Sequence, residues 1–552
     1  MLEGERGGYH LGKPAEHIDI PKTIQSVLAA RIDLLDGMPR TVLQTAAIIG
    51  KDVPVDLLSR MVDIPAPQLA AQLALLEAAD LVYPVTTTAG AEYSFKHELT
   101  REVAYNTVLI ARRRTLHSRV VQIIEANFAN RLDEHVDRLA EHAYSGELWE
   151  KAVPYQLRSA RRAMRRWANH EVIRIVERGL ETLSHLPDSA DKWRAAIDFR
   201  LAAVIALEPL GRHRRIAAVL SEASTLTQAA DDTRRTAGVN CQLAVALWRL
   251  GNHGAAMAAA EAAYDIANKI GNTPLSFAAL HNIGIIHHET GAFKKAVEVH
   301  RRCQALITPD IDAKREGWAS YPSVTLHTFL ADSLLELGEI AEAEATAEKA
   351  VRLADAVNHA YSRSFIYHIR ARIHLAKGEV AAAVALMEEA WRICVDLEII
   401  QMYPVTAGRL GEAYLDAGNV DAALEVVSLP ETLDVPQAEN TYGWYYLFLA
   451  QGRALLMSGQ HAQAFTAAKR ALQLAEERGE RPQQAHALKL LGEICTTSKQ
   501  HLPTDAEKHL RAALALAEDC SMRLLAERCK TSLGKVEQPW RRRVFNAFRI
   551  HS

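Results

Sequence analysis

Ala331-Asp332-Ser333-Leu334-Leu335-Glu336-Leu337-Gly338-Glu339-Ile340-Ala341-Glu342-Ala343 is the stretch on which the fold turns, because its grammar recurs in five further places. A small residue stands seven positions before a glycine, and an alanine stands five positions after it. The glycines are Gly251, Gly291, Gly338, Gly378, Gly418 and Gly459. The preceding small residues are Ala244, Gly284, Ala331, Ala371, Gly411 and Gly452. The following alanines are Ala256, Ala296, Ala343, Ala383, Ala423 and Ala464. Agreement at three points in six copies marks an internal repeat, and a repeat outranks any single motif in a reading of fold. Small side chains let two helices approach closely, and a glycine takes the left-handed conformation that ends the first of them. Each hairpin leaves an apolar flank that only its neighbour covers, so the copies stack.

The copies return about every 40 residues, against roughly 34 for the tetratricopeptide repeat whose helix–turn–helix layout they share. A degenerate copy lies at Leu139–Ala152 around Gly146, and a late one with an insertion runs from Leu491 to Ala513. Residues 236–533 are predicted to form a tetratricopeptide-like α-solenoid superhelix, with degenerate helical repeats over 130–235. Upstream, helical periodicity starts at Thr23 and covers about 39–49, 54–62 and 66–79. Leu81-Val82-Tyr83 and Tyr93-Ser94-Phe95 then flank Thr86-Thr87-Thr88-Ala89-Gly90 as a small β-hairpin. Helical periodicity resumes near His97 and runs to about Ala129. Residues 23–129 are therefore a winged-helix-like helical domain. Residues 1–22 are a linker and 534–552 a basic tail, and the fold class is all-α.

Composition agrees. Hydrophobic residues make up 49% and aromatics only 6%, which suits closely packed helices. Lysine plus arginine total 64 against 67 for aspartate plus glutamate, so no global field draws nucleic acid or a membrane to the chain. Cys241, Cys303, Cys394, Cys495, Cys520 and Cys529 are far apart with no CxxC pair, and read as small buried hydrophobes in a reducing compartment. The N-terminus has no apolar signal core, and no uninterrupted apolar run of about 18 residues exists. No membrane span and a cytoplasmic location are expected.

Four local features compete for a functional role. The segment 66–79 carries no lysine or arginine, and the hairpin turn none either, which argues against a helix entering a DNA groove. Gly7–Lys13 fits GxxxxGK, but Pro14 replaces the magnesium-binding hydroxyl and removes a backbone N–H. His281, His287, His288 and Glu289 suggest a metal, yet gaps of six and one do not put two ligands on one helical face. The runs Arg158/Arg161/Arg162/Arg165/Arg166 and Arg541-Arg542-Arg543 read as solvated faces, the second within a short amphipathic tail, Trp540–Ile550. No catalytic residue, metal or cofactor is expected.

Ile20-Pro21-Lys22-Thr23-Ile24-Gln25-Ser26-Val27-Leu28-Ala29-Ala30-Arg31-Ile32-Asp33-Leu34-Leu35, Leu43–Gly50, Tyr93–Tyr105 and Arg112–His117 resemble, in order and spacing, a bacterial family. That family joins a class III adenylate/guanylate cyclase domain, a STAND-type AAA-like ATPase and C-terminal tetratricopeptide repeats. The likeness covers about residues 18–185; beyond that only the repeat architecture is shared. It implies that this region is the winged-helix end of an ATPase module followed by a sensor array, and that His97 could touch a nucleotide held by such a module. The family's cyclase domain, Walker A loop and Walker B acid have no counterpart here.

The expected function is a non-catalytic regulatory scaffold that binds a protein or peptide on the concave face of its repeats, with an ATPase or cyclase module as a further partner. The alternatives are part of a cyclase or ATP-binding STAND protein whose catalytic domains lie upstream, and a STAND-type transcription regulator without its DNA-binding end.

Overall fold

The computed structural model describes residues 2–3, 10–11, 22–87, 90–314, 320–432, 442–497 and 503–549. Among them are 27 α-helices and five short strands. Contacts divide the chain into two compact units, residues 1–162 with 177–187, and residues 163–176 with 188–552. The division falls inside the 130–235 stretch rather than at either of its ends.

In the first unit, helices Met38–Ile49, Val55–Val62 and Ala66–Ala78 follow the apolar spacing of the sequence. The sheet corrects the expected hairpin. Its strands Val82–Thr87 and Gly90–Phe95 are longer than the apolar triplets that announced them, and a third strand, Asp52–Pro54, pairs with the second. Gly90–Phe95 is central, with Val53 opposite Tyr93 and Val82 opposite Phe95. A three-residue strand has no visible alternation, and its partner lies some 40 residues on; Ser94 Oγ donates to Asp52 Oδ1 across that pair at 2.8 Å. The helical periodicity from near His97 to about Ala129 takes the form of two helices, Glu98–Asn106 and Ile110–Asn127. Leu43, Leu58, Leu76, Val120 and Leu139 form one core with the sheet.

The second unit is a row of helical hairpins, here named by their turn glycines. The Gly251 hairpin joins Thr233–Arg249 to His253–Lys269, and the Gly291 hairpin joins Thr273–Glu289 to Phe293–Gln304. The Gly338 hairpin joins Pro322–Glu336 to Ile340–Ala356, and the Gly378 hairpin Ala360–Lys377 to Val380–Asp396. The Gly418 hairpin joins Tyr403–Asp416 to Val420–Thr432, and the Gly459 hairpin Trp444–Met457 to His461–Glu477. Helices Arg481–Thr497, Pro503–Asp519 and Arg523–Arg549 complete the row. The last runs unbroken through Leu533, where a tail was expected to begin.

The six turn glycines have φ between 78° and 85°, the left-handed region in which a Cβ is strained. Ala256, Ala296, Ala343, Ala383, Ala423 and Ala464 are fully buried at the hairpin crossings, as are Ala244 and Ala331. A Cβ on Gly284 would fall 2.5 Å from His300, and one on Gly411 2.8 Å from Val427. The turns between hairpins are also left-handed, but there Asp231, Asn358, Glu398 and Ser521 take positive φ beside Gly271 and Gly479. A search for glycine alone passes over them.

The row coils back on itself. Arg478 donates to the carbonyls of Arg249 (2.9 Å) and Trp248 (3.3 Å), some 230 residues earlier. Gln483 meets Glu289 at 3.4 Å, and Arg523 pairs with Glu339 at 3.0 Å. The Gly251, Gly291 and Gly338 turns thus lie against the starts of the last helices, and one superhelical turn closes within this unit.

Candidate functional site

From the Gly291 hairpin on, the first helix of each hairpin lines the inside of this coil. His288, Asp332, Arg372, Arg409, Tyr445, His486 and Arg528, each from a different helix, line a single cavity of about 400 Å³. That size suits a small ligand or a short stretch of peptide.

Its charges follow the repeat. From Ala331 on, the residue directly after each small packing position is Asp332, Arg372, Glu412, Arg453 and finally Glu493 after Gly492, so the sign alternates from one inner helix to the next. Two further acids, Glu336 and Asp416, stand one helical turn on from Asp332 and Glu412. Arg372 bonds both Asp332 and Glu336 of the preceding inner helix. Arg453 repeats this with Glu412 and with Asp416, the latter at 3.1 Å. Lys489 closes the series on Glu493 at 2.6 Å, and Ser532 donates to the same carboxylate. The small residues that define the repeat do not announce this ladder. The column one position further on, read down the copies, carries the signal.

The local electrostatics follow from burial and neighbours. Burial alone would raise the Asp332 carboxyl, but Arg372 and His288 outweigh it and hold it below its ordinary range. His288 lies 3.4 Å from Asp332 and shares a hydrogen bond of 2.9 Å with Ser333; the carboxylate overrides burial and raises its pKa. His368 is pushed down to about 3 by burial and then by Arg409, and shares a hydrogen bond with the Thr406 hydroxyl at 3.1 Å. His486 is held well below its ordinary value by burial and by Arg372, Arg409, Arg528 and Lys489. Two histidines of the cavity are therefore neutral at pH 7, and the Arg409 guanidinium lies 4.2 Å from the centroid of the Tyr446 ring.

The other candidate residues fall elsewhere. His97 is exposed at the N-terminus of Glu98–Asn106 and its side chain makes no cap. His281 is buried against Phe277, His300 and Phe329, His287 is half-buried, and Glu289 points toward the coil contact. These side chains do not converge, and no group of three or more metal-ligating side chains occurs among the described residues. Arg158, Arg162 and Arg166 pair with Asp133, Asp137 and Glu171. All six cysteines are free and buried; burial pushes the Cys241 and Cys303 thiols up to about 12. Most of Gly7–Lys13, and the side chains of Arg541, Arg542 and Arg543, lie outside the described residues. No described helix is long and apolar enough to cross a membrane.

Tetratricopeptide repeat models match residues 235–307, 324–349 and 404–427. An uncharacterized protein of Rhizobium meliloti (strain 1021) is 28% identical over 187 residues, 34% of this chain. The chain spans only 18% of that relative's length. Among solved structures, the chain is similar to a Rap protein complexed with competence and sporulation factor (14% identical, 70% of this chain and 98% of that one, TM-score 0.45). It is also similar to the Cut9–Hcn1 hetero-tetramer of the APC/C (14%, 86% and 84%, 0.46). A third likeness is to a STAND protein with a tetratricopeptide repeat sensor from Pyrococcus horikoshii (13%, 96% and 66%, 0.31). The chain carries tetratricopeptide repeats in an all-α solenoid.

Proposed function

We propose that this chain is a non-catalytic regulatory scaffold whose repeat array binds a protein or peptide on its inner face. The observation that carries the reading is the charge ladder. Five successive inner helices present acid, base, acid, base and acid to one cavity, and the groups are held by each other in fixed geometry. A preorganised polar wall of this kind gives specificity for an extended partner at low ordering cost. The ladder's charges are engaged as ion pairs rather than set up as a nucleophile and base, and burial raises the thiol pKa values.

The first unit supports the second half of the reading. Its order of helix, strand, two helices and hairpin is that of a winged helix, and its third helix has no cation to offer a phosphate backbone. It serves as the end of a STAND-type ATPase module and couples occupancy of the repeats to a cyclase or ATPase core; His97, exposed at a helix start, is its candidate contact with a nucleotide.

Selection of a displayed random-peptide library on the full chain tests this. Peptides that lose binding when Arg372 and Arg453 are both changed to Glu are expected. A selection that returns no such peptides, or ATP or GTP turnover by the purified chain, sinks the reading.

A further inference from the structure

The carboxylates of the cavity are already engaged: Asp332 and Glu336 by Arg372, Glu412 and Asp416 by Arg453, and Glu493 by Lys489. Two cations of the same wall, Arg409 and Arg528, form no ion pair among the described residues. The Arg409 guanidinium sits over the Tyr446 ring, its carbon 4.2 Å from the centroid, a cation–π contact that leaves its charge without a carboxylate partner. Both arginines act on His486, so they bear on one region of the wall.

Three buried polar atoms of the cavity lining have no hydrogen-bond partner among the described residues: Oε1 of Gln483, toward the coil contact with Glu289, and two more. Of these two, one is the hydroxyl of Tyr445, a residue 3% exposed, and the other is Oε1 of Glu412. Unsatisfied buried polar groups are uncommon in native proteins and call for an explanation. The Tyr445 hydroxyl is a donor in its neutral form, since burial holds the phenol well above its usual pKa. The Glu412 oxygen is an acceptor.

We propose that Arg409, Arg528, Tyr445 and Glu412 form a subsite for an acidic residue. Its carboxylate accepts from the two guanidiniums and the Tyr445 hydroxyl, and its own N–H donates to Glu412. This rests on the reading of the array as a peptide-binding scaffold and names what one subsite takes. A bare anion does not fit, because the unpaired Glu412 oxygen would repel it. A group that joins a carboxylate to an N–H satisfies the two arginines, the Tyr445 hydroxyl and the Glu412 oxygen together. An acidic residue within a peptide and a free acidic amino acid share that chemistry.

Calorimetric titration of the full chain with end-capped Ala-Ala-Glu-Ala-Ala, its Gln counterpart and free L-glutamate tests the subsite. The Glu peptide binds at least about tenfold more tightly than the Gln peptide, as a charge-assisted pair requires. Arg409→Gln and Arg528→Gln each weaken it by about tenfold, while Arg511→Gln on the outer helix Pro503–Asp519 leaves it unchanged. L-glutamate that binds as tightly as the peptide makes the free amino acid the ligand; weaker binding makes it the peptide residue. Equal affinity for the two peptides, no measurable binding of the Glu peptide, or indifference to both arginine changes overturns the subsite. If library selection still yields cavity-dependent peptides that lack acids, the scaffold reading stands and only this subsite falls.

Discussion

The Gly291 and Gly418 turns have the same sequence grammar and nearly the same backbone, with φ of 85° and 79°, but they do different work. A Cβ on Gly291 would lie 2.6 Å from Cys520 Sγ and 3.1 Å from Pro482, atoms of the returning coil, whereas a Cβ on Gly418 would meet nothing within 4 Å. Gly251 belongs with the first, 2.7 Å from Arg478, and Gly378 and Gly459 belong with the second. One local rule ends every first helix; in the early copies the same glycine also clears the path of the next superhelical turn. The repeat is therefore a local device, and the closed coil is a separate property written in a few long-range contacts.

Breaking the coil contact should have the largest effect. Arg478 is almost fully buried, pairs with Glu480 at 2.7 Å and donates to two carbonyls of the Gly251 hairpin. Arg478→Ala leaves Glu480 buried with only His253, 3.4 Å away, for charge partner. A loss of about 4 kcal/mol in a denaturant melt is expected, as when one partner of a buried pair is removed. A loss under about 1 kcal/mol would show that the coil is not a stability determinant. Next come the glycines. Gly291→Ala combines left-handed strain with overpacking and should lose about 3 kcal/mol, against about 1 kcal/mol of strain alone for Gly418→Ala. Equal losses at the two turns would erase the distinction between them.

The hairpins were legible because their packing is local: a close helix crossing needs a small residue at a fixed offset, and a tight turn needs a left-handed one. Asp52–Pro54 was not, since a short strand is defined by a partner far along the chain. The ladder of Asp332, Arg372, Glu412, Arg453 and Glu493 was present in the sequence but carries no structural period of its own; it emerges only once the packing column is aligned. The contacts of Arg478 were beyond reach, because nothing in Arg478 or Trp248 signals that a superhelix of this pitch brings them together.

The early part of the row also differs in its histidines. His213 and His281 are pushed down to about 3, chiefly by burial. Such groups are neutral when folded but take up protons near pH 6.5 when unfolded. Above that pH they have no effect on stability; below it the unfolded state binds more protons, so stability falls as the pH drops toward 3. His288, raised by Asp332, has the opposite sign: its contribution is present at low pH and lost as the pH rises through its folded value. Melting temperature should thus decline from pH 7 to pH 4, and His281→Phe, which fits the aromatic surroundings of Phe277 and Phe329, should flatten the decline by about one proton. An unchanged slope would mean that His281 is not neutral in the fold.

The smallest effect should come at Gly338, which separates the two classes most finely. Its roof is the side chain of Arg523, whose Cβ lies 3.1 Å from an added methyl, and Arg523 pairs with Glu339 while both remain largely exposed. An exposed pair contributes little, so Arg523→Ala alone should lose about 0.5 kcal/mol. A flexible side chain yields where the Pro482 ring of the returning coil does not, and Gly338→Ala should therefore lose little more than Gly418→Ala. In an Arg523→Gly background the small excess should disappear, since the added methyl then meets neither the Cβ at 3.1 Å nor the Cδ at 3.3 Å. If the excess persists, backbone rather than side chain sets the spacing of the coils at this turn, and the coil is stiffer at its last contact than the exposed Arg523–Glu339 pair implies.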